Sequence, residues 1–259
     1  MIGETGVLKG RRRRAVDSTI LADAVATQDT ITQLVSAIRR CSRLVPGAPE
    51  LIASACTGHD YSQPGKPRID WDDPAAKDAL VSALVNDANA LVAAFRDAEL
   101  AEDASAVALL ALVAGQDVEP AEGSDGTDGR WRIARKVAED RVISVNDPEA
   151  RHTRKSPEAR RDGYRAHVSA EPATGLITDE QLTMAARPDN SDAAVAAEMI
   201  ARETAPAEVY GDSAYGTGDL RAALTGAGHH LVIKPGPLKP AVEGGFTADD
   251  SPSMRTPAP

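Results

Sequence analysis

Aromatic side chains are scarce in this sequence: two Trp, four Tyr and two Phe make up 3 % of 259 residues. Since 42 % of residues are apolar, the core has to be assembled mainly from Ala, Val, Leu and Ile, which bury less area per side chain than aromatic residues do. Cysteine is nearly absent. Cys41 and Cys56 are the only two, which excludes a disulfide framework, and with His59 they lack the paired-ligand spacing of a zinc site. No run approaches the ~18 uninterrupted apolar residues of a membrane span. The basic opening that ends at Arg14 leads into no apolar stretch of the kind a signal peptide needs. Positive charge is outweighed, with 29 Lys and Arg against 39 Asp and Glu and a formal net charge of -10. The surface as a whole is therefore no platform for nucleic acid, although a local basic patch stays open. The expectation is a soluble, cytoplasmic chain without a membrane partner.

What is present is a change of periodicity along the chain. Ala15–Leu21 reads as a brief strand that delivers Asp17 at its end. Ile31, Leu34, Val35 and Ile38 then recur at helical spacing until Pro46-Gly47. A second helical pattern runs from Pro74 to about Ala94 behind Asp73 as N-cap, and a third covers roughly Ala101–Ala114. The acidic, glycine-rich stretch Gln116–Gly129 reads as a loop or linker. After it the pattern becomes extended. Tyr164–Ala170 and Gly175–Met184 flank Glu171-Pro172-Ala173-Thr174 as a hairpin. A helix over Asp189–Thr204 with Ser191 as N-cap, a strand into Gly211-Asp212, a helix Gly218–Ala227 and a last strand His229–Pro235 complete the order. Strand, helical block, hairpin, helix, strand, helix, strand implies an α/β fold: a mixed sheet flanked by helices, with a helical insertion after the first strand.

Asp17 and Asp212 each follow an apolar strand-like run and precede small residues, and Gly211 and Gly216 allow close backbone approach beside the second. Carboxylates at neighbouring strand ends supply the hard oxygen ligands of a Mg²⁺ site and leave room for water and phosphate. Two such ions about 3.5–4 Å apart can activate a hydroxyl and stabilise the leaving oxygen of a phosphodiester. The plainer reading makes Asp17 a helix cap and Asp212 a turn cap. Two glycine-rich stretches carry no such chemistry. GDSAYGTG has no Lys-Ser/Thr to make it a phosphate loop, and SDGTDG lacks the ligands of a calcium loop.

Four segments in order, RRAVDSTILADAVATQDTITQL, RVISVNDPEARHTRKS, DGYRAHV and VYGDSAYGTGDLRAAL, together resemble the DDE transposases of bacterial insertion sequences, whose catalytic domain is RNase H-like. In that family the first catalytic aspartate lies in an Asp-Ser-Thr motif, matched by Asp17, and the second in a Gly-Asp-x-x-Tyr-Gly motif, matched by Asp212. The resemblance implies DNA as partner, both transposon ends and target, and two Mg²⁺ (or Mn²⁺) ions, with Asp17 bridging them and Asp212 holding one. It leaves a homo-oligomer open. Family members begin with a helical end-binding domain and continue to a helix bearing a glutamate as third acid. Here the Asp-Ser-Thr motif arrives within twenty residues of Met1, and SPSMRTPAP follows soon after the last strand, so the expectation is a chain truncated at both ends. Glu243, Asp249 and Asp250 have no helix to aim them, and none is assigned as the third ligand. The expected function is DNA transposition by descent, with this chain inactive for lack of the third acid. The alternatives are a non-catalytic DNA-binding or dimerising fragment that modulates a full-length transposase, and an unrelated metal-dependent phosphoesterase.

The resemblance also turns a basic segment toward DNA: Arg151, His152, Arg154, Lys155, Arg160, Arg161 and Arg165 would contact phosphates, against a plain solvated loop. Arg11–Arg14 and Lys234 could touch phosphate too, and Tyr215 could stack on a base or pack its own turn. The resulting division is a first strand with a basic start over 1–26, a helical insertion and acidic linker over 27–129, the remainder of the catalytic domain over 130–240, and a disordered tail over 241–259.

Overall fold

A computed structural model describes residues 6–22, 26–63, 65–96, 101–138, 140–154, 160–234, 242 and 244–245. Apart from residues 242, 244 and 245, the tail expected over 241–259 lies outside the described residues, as do the acids Glu243, Asp249 and Asp250, Lys155, and the side chains of Arg154 and Arg160. Two compact units divide the chain: one from residues 1–21, 165–183 and 187–259, the other from residues 22–164 and 184–186.

The second unit is the helical block. Helix α1 (Thr30–Leu44) starts at Asp29, whose carboxylate accepts the Thr32 N–H. Helix α2 (Ala48–Ala55) follows Gly47, held at φ 79°. Helix α3 (Pro74–Ala94) has its proline at the first turn, where no N–H is needed, and Asp73 caps it by accepting from Ala75. Helix α4 (Ala101–Gln116) closes the bundle. The apolar rows meet as expected: Leu34, Ile38, Leu84, Leu91 and Leu110 are fully buried in one cluster. Each such side chain contributes roughly 1.5–3 kcal/mol by leaving water.

The stretch expected as a linker is partly ordered. Helix α4 continues through Gln116, and strand β2 (Val118–Pro120) pairs antiparallel with β3 (Trp131–Ile133). Trp131 explains the pairing. Its backbone N–H donates to Ser82 on α3, its carbonyl accepts from the same hydroxyl, and its indole donates to Asn86, so the ribbon is clamped against a helix. Sequence period misses strands of three residues. Strand β4 (Arg151–Arg154), expected as a basic loop, pairs antiparallel with the start of β5 (Arg160–Glu171).

The first unit holds the sheet. Strand β1 runs Arg13–Ala22, so Asp17 stands mid-strand rather than at its end; Ser-Thr-Ile beyond it are residues that favour extended backbone. The hairpin of β5 and β6 (Leu176–Met184) turns at Glu171–Gly175, where the Gly175 N–H donates to the Glu171 carbonyl and Gly175 takes φ 69°. Helix α5 (Asp192–Ala201) is capped by Ser191, strand β7 is Glu208–Gly211, helix α6 (Gly218–Gly226) is capped by Thr217, and β8 is His230–Ile233. Strand β5 lies between β6 and β1, giving the order β6, β5, β1, β7, β8, with β1, β7 and β8 mutually parallel. Val16, Val195, Met199, Ile200, Val209, Leu220 and Ile233 pack helices α5 and α6 onto it. This is a mixed α/β sheet flanked by helices, and it fits the RNase H-like class.

Candidate metal and nucleic-acid site

The parallel register fixes where the two aspartates fall. Arg13 pairs with Glu208, Arg14 with Val209 and Ala15 with Tyr210. Carried two residues further, the same offset sets Asp17 level with Asp212. Neighbouring strands lie about 4.8 Å apart, so residues 195 positions apart in sequence become lateral neighbours. Both carboxylates are exposed. One oxygen of Asp17 accepts the Ser18 N–H at 2.8 Å. Asp212, immediately after β7, caps the single turn Ser213–Tyr215 by accepting the Ala214 N–H at 2.8 Å. The turn-cap reading and the metal reading of Asp212 therefore coexist, since the cap uses one of its two oxygens. Gly211 lets the turn close tightly: a Cβ there would stand 3.1 Å from the Tyr215 ring, which would have to shift.

Tyr215 is buried in the core of this unit and so packs its own turn rather than offering a stacking face. Its hydroxyl is pushed upward in pKa by burial and then by the negative charges of Asp192, Asp17 and Asp212, while Ser18 acts in the opposite sense. The Tyr215 hydroxyl forms no hydrogen bond of acceptable geometry, although Ser18 stands beside it.

Asp192 was not singled out by sequence. It lies in the first turn of α5, and its Oδ1 accepts from the Ser18 hydroxyl at 2.6 Å and from Arg165 at 3.0 Å. The Nδ1 of His167 lies 3.8 Å from the same oxygen. His167 is wholly buried, with Nε2 against the Thr183 hydroxyl at 3.2 Å and Nδ1 without a hydrogen bond. Burial holds its pKa below the ordinary value, Asp192 pulls it back up, and Arg165 adds to the lowering. An Asn-Ser-Asp string before an alanine-rich helix carries only a capping signal, which is why Asp192 stays hidden until β1 and β5 are assembled.

Among the described residues no group of three or more His, Cys, Asp or Glu side chains is placed to hold a metal ion. The donor chemistry at Asp17 and Asp212 nevertheless fits a hydrated divalent ion: both are exposed, hard carboxylates, level by the β1–β7 register carried past Ala15 and Tyr210.

The expected basic patch is split. Arg151 is buried; its Nε donates to Asp140 at 2.9 Å and its Nη1 to the Ala150 carbonyl at 3.0 Å and the Pro148 carbonyl. A guanidinium so committed is a folding residue and leaves the exposed surface. His152 faces Asp162, Arg161 is exposed, and Arg165 spends its charge on Asp192. Among the opening arginines, Arg14 is buried against Glu203, while Arg11 and Arg13 reach the buried carboxylate of Glu171 at 3.8 and 3.6 Å. Lys9, Arg12 and Lys234 are exposed. Cys41 is buried and Cys56 half-buried, both free, and burial raises each thiol to about 11. No helix among the described residues is long and apolar enough to cross a membrane.

No curated protein and no solved structure matches the chain. Residues 129–250 match the family described as the transposase DDE domain, a span that carries Asp212, the hairpin and the last two strands. That match spans just under half of the chain, and over it the chain is similar to transposase DDE domains.

Proposed function

We propose that Asp17 and Asp212 are the metal-holding acids of a DNA transposition site. The observation that supports this most is the β1–β7 register, which, carried two residues past Ala15 and Tyr210, brings an exposed carboxylate on β1 level with one just after β7. Bound there, divalent ions supply Lewis acidity at a phosphodiester and lower the pKa of an attacking hydroxyl. The chain's own contributions are simpler. Asp17 holds its carboxylate through the Ser18 N–H, Asp212 holds its own through the Ala214 N–H, and each keeps a second oxygen for a ligand. Exposed Arg161 belongs to the basic stretch of sequence that also holds Arg154, Lys155 and Arg160 and that would contact DNA, since contacts to phosphate follow local rather than net charge.

Two carboxylates hold a hard cation weakly, because water must fill the other positions. The chain by itself therefore retains salt-sensitive DNA binding and lacks strand cleavage or joining. Even one preorganised hydrogen-bond donor, removed from an oxyanion hole, costs about 10²–10³ in rate. A supercoiled-plasmid nicking assay with Mg²⁺ or Mn²⁺ on the native chain, Asp17→Ala and Asp212→Ala tests this. Equal background in all three fits the proposal. Nicking by the native chain that both substitutions abolish would keep the acid assignment and overturn the inactivity, whereas nicking that survives both would overturn the assignment itself.

A further inference from the structure

We propose that Asp192 is the positioning residue of the Asp17–Asp212 pair, acting on Asp17 through Ser18. The inference rests on the reading of those two aspartates as metal-holding acids. It starts from a continuous chain of hydrogen bonds. Arg165 donates to Asp192 Oδ1 at 3.0 Å, the Ser18 hydroxyl donates to the same oxygen at 2.6 Å, and the Ser18 N–H donates to Asp17 Oδ1 at 2.8 Å. Successive residues of a strand point to opposite faces. Ser18 therefore anchors β1 from the helix-covered face while its own amide orients the carboxylate of the residue before it. An exposed aspartate on a strand has free rotamers unless something fixes it, and the amide that fixes Asp17 belongs to the residue Asp192 grips.

A second observation points into the same place. His167 Nδ1 and the Tyr215 hydroxyl are buried polar atoms without hydrogen bonds, His167 3.8 Å from Asp192 Oδ1 and Tyr215 within electrostatic reach of all three aspartates. A buried polar atom left unpaired is costly, and His167 Nδ1 is such an atom beside this carboxylate. A carboxylate whose only task was to complement the dipole at the start of α5 would need neither Ser18 nor buried neighbours. Asp192 instead sits where Arg165 on β5 and Ser18 on β1 converge, with Tyr215 beyond β7 close by, and couples them.

The test reads metal binding rather than catalysis. Mn²⁺ is titrated into the native chain and into Asp192→Ala, Asp192→Asn, Ser18→Ala, the Asp192→Ala/Ser18→Ala double variant, Asp17→Ala and Asp212→Ala. Free ion is followed by electron paramagnetic resonance, and thermal melts run alongside. Partners that orient a metal ligand typically change affinity by roughly 10–100-fold when lost. Asp192→Ala and Ser18→Ala should each weaken Mn²⁺ binding about tenfold, and the double variant should lose no more than either alone, because both break one chain of contacts. Asp192→Asn, which keeps an oxygen for Ser18, should retain most of the affinity. Weakening by Asn equal to that by Ala would show that Asp192 acts through its charge and overturn the positioning role. So would additive losses in the double variant, or a melting point lowered at unchanged affinity. Mn²⁺ binding that is undetectable, or indifferent to Asp17→Ala and Asp212→Ala, would instead remove the metal reading and this inference with it. Ser18→Ala, a small change at a half-buried site, keeps the test open if Asp192→Ala fails to fold.

Discussion

Replacing Asp87 with alanine should destabilise the helical unit by about 3 kcal/mol, and the structure shows how that figure arises. Asp87 sits on α3, nearly inaccessible at 5 % exposure. One oxygen accepts the Thr57 N–H at 3.0 Å, and the other accepts the Gly58 N–H at 2.8 Å and the Tyr61 hydroxyl at 2.7 Å. This carboxylate therefore folds the loop after α2 onto α3. With alanine, the buried Tyr61 hydroxyl is stranded, which costs about 1–3 kcal/mol. The two amides lie on a loop that water can partly reach, and each adds roughly 0.5–1.5 kcal/mol, the net worth of an ordinary hydrogen bond. Asparagine separates the parts. Its oxygen can take the position facing both Gly58 and Tyr61, which leaves its NH₂ opposite the Thr57 N–H on an exposed residue, so the cost should fall to about 1–2 kcal/mol. Urea unfolding followed by circular dichroism at 222 nm measures both. At roughly 2–4 °C per kcal/mol, the alanine variant should also melt about 10 °C lower. An alanine variant within ~1 kcal/mol of the native chain, or an asparagine variant as unstable as alanine, would refute the reasoning.

Two further outcomes follow from the same loop. Gly58→Ala should cost more than an ordinary surface substitution, about 2 kcal/mol or more, because a Cβ there would stand 2.9 Å from the backbone of Ala83 and 2.9 Å from Asp87 Oδ2; denaturant midpoints check it. Tyr61 has its pKa raised, first by burial and then by its hydrogen bond to Asp87, so its folded pKa stands above the unfolded one. Its contribution is complete below the ordinary tyrosine value of about 10 and is lost as pH climbs above it. The native chain should therefore lose stability above pH ~10 more steeply than Tyr61→Phe; parallel slopes in pH-dependent melts would contradict this.

The legible parts of the fold were those whose signal is local. The Asp73 and Ser191 caps, the apolar rows of α1 and α3, and the hairpin turn before Gly175 can be read within one or two helical turns or one turn sequence. Residues 118–120 and 131–133 were not legible. Three-residue strands carry no period, and what makes them strands is Trp131 fastening to Ser82 and Asn86 on a helix some fifty positions earlier. The site divides the same way. Asp17 and Asp212 were singled out by their motifs, and only the β1–β7 register, extended two residues past Ala15 and Tyr210, relates one to the other. Asp192 was invisible, since its meaning depends on Ser18 and Arg165 arriving from two other elements. Arg151 shows the converse: a basic string suggests a binding surface, yet Asp140 and two carbonyls absorb its guanidinium. Local charge in a sequence does not say which way the charge faces.

The long excursion between β1 and the sheet-forming half of β5 leads to a final prediction. Residues 22–164 belong to the helical unit. A flexible insertion of that length would add only roughly 2 kcal/mol of closure entropy over a ten-residue loop, since the cost grows with the logarithm of length. Here even that is reduced, because the ends of the excursion are stitched together. The Gln28 N–H donates to the Ile143 carbonyl at 2.9 Å, the Gln28 carbonyl accepts from Arg141 at 3.1 Å, and the Gln28 side chain accepts the Val145 N–H at 2.9 Å. Inside, Gln33 is wholly buried and donates to the Val142 carbonyl at 2.8 Å, while Gln116 donates to Gln33 at 2.6 Å and accepts the Val142 N–H at 3.0 Å. The segment thus has its own apolar core, its own satisfied polar network and adjacent ends, which are the marks of a unit able to fold alone. Residues 26–150 expressed by themselves should give a helical spectrum and a single cooperative urea transition. Gln33→Ala in that segment should lower its stability by about 1–2 kcal/mol by removing two buried hydrogen bonds, which leaves the Val142 carbonyl and the Gln116 amide only their mutual bond at 3.1 Å. A segment that is unstructured, or that melts without cooperativity, would show that the helical block depends on the sheet, and the view of it as an independently folded excursion from β1 would have to be abandoned.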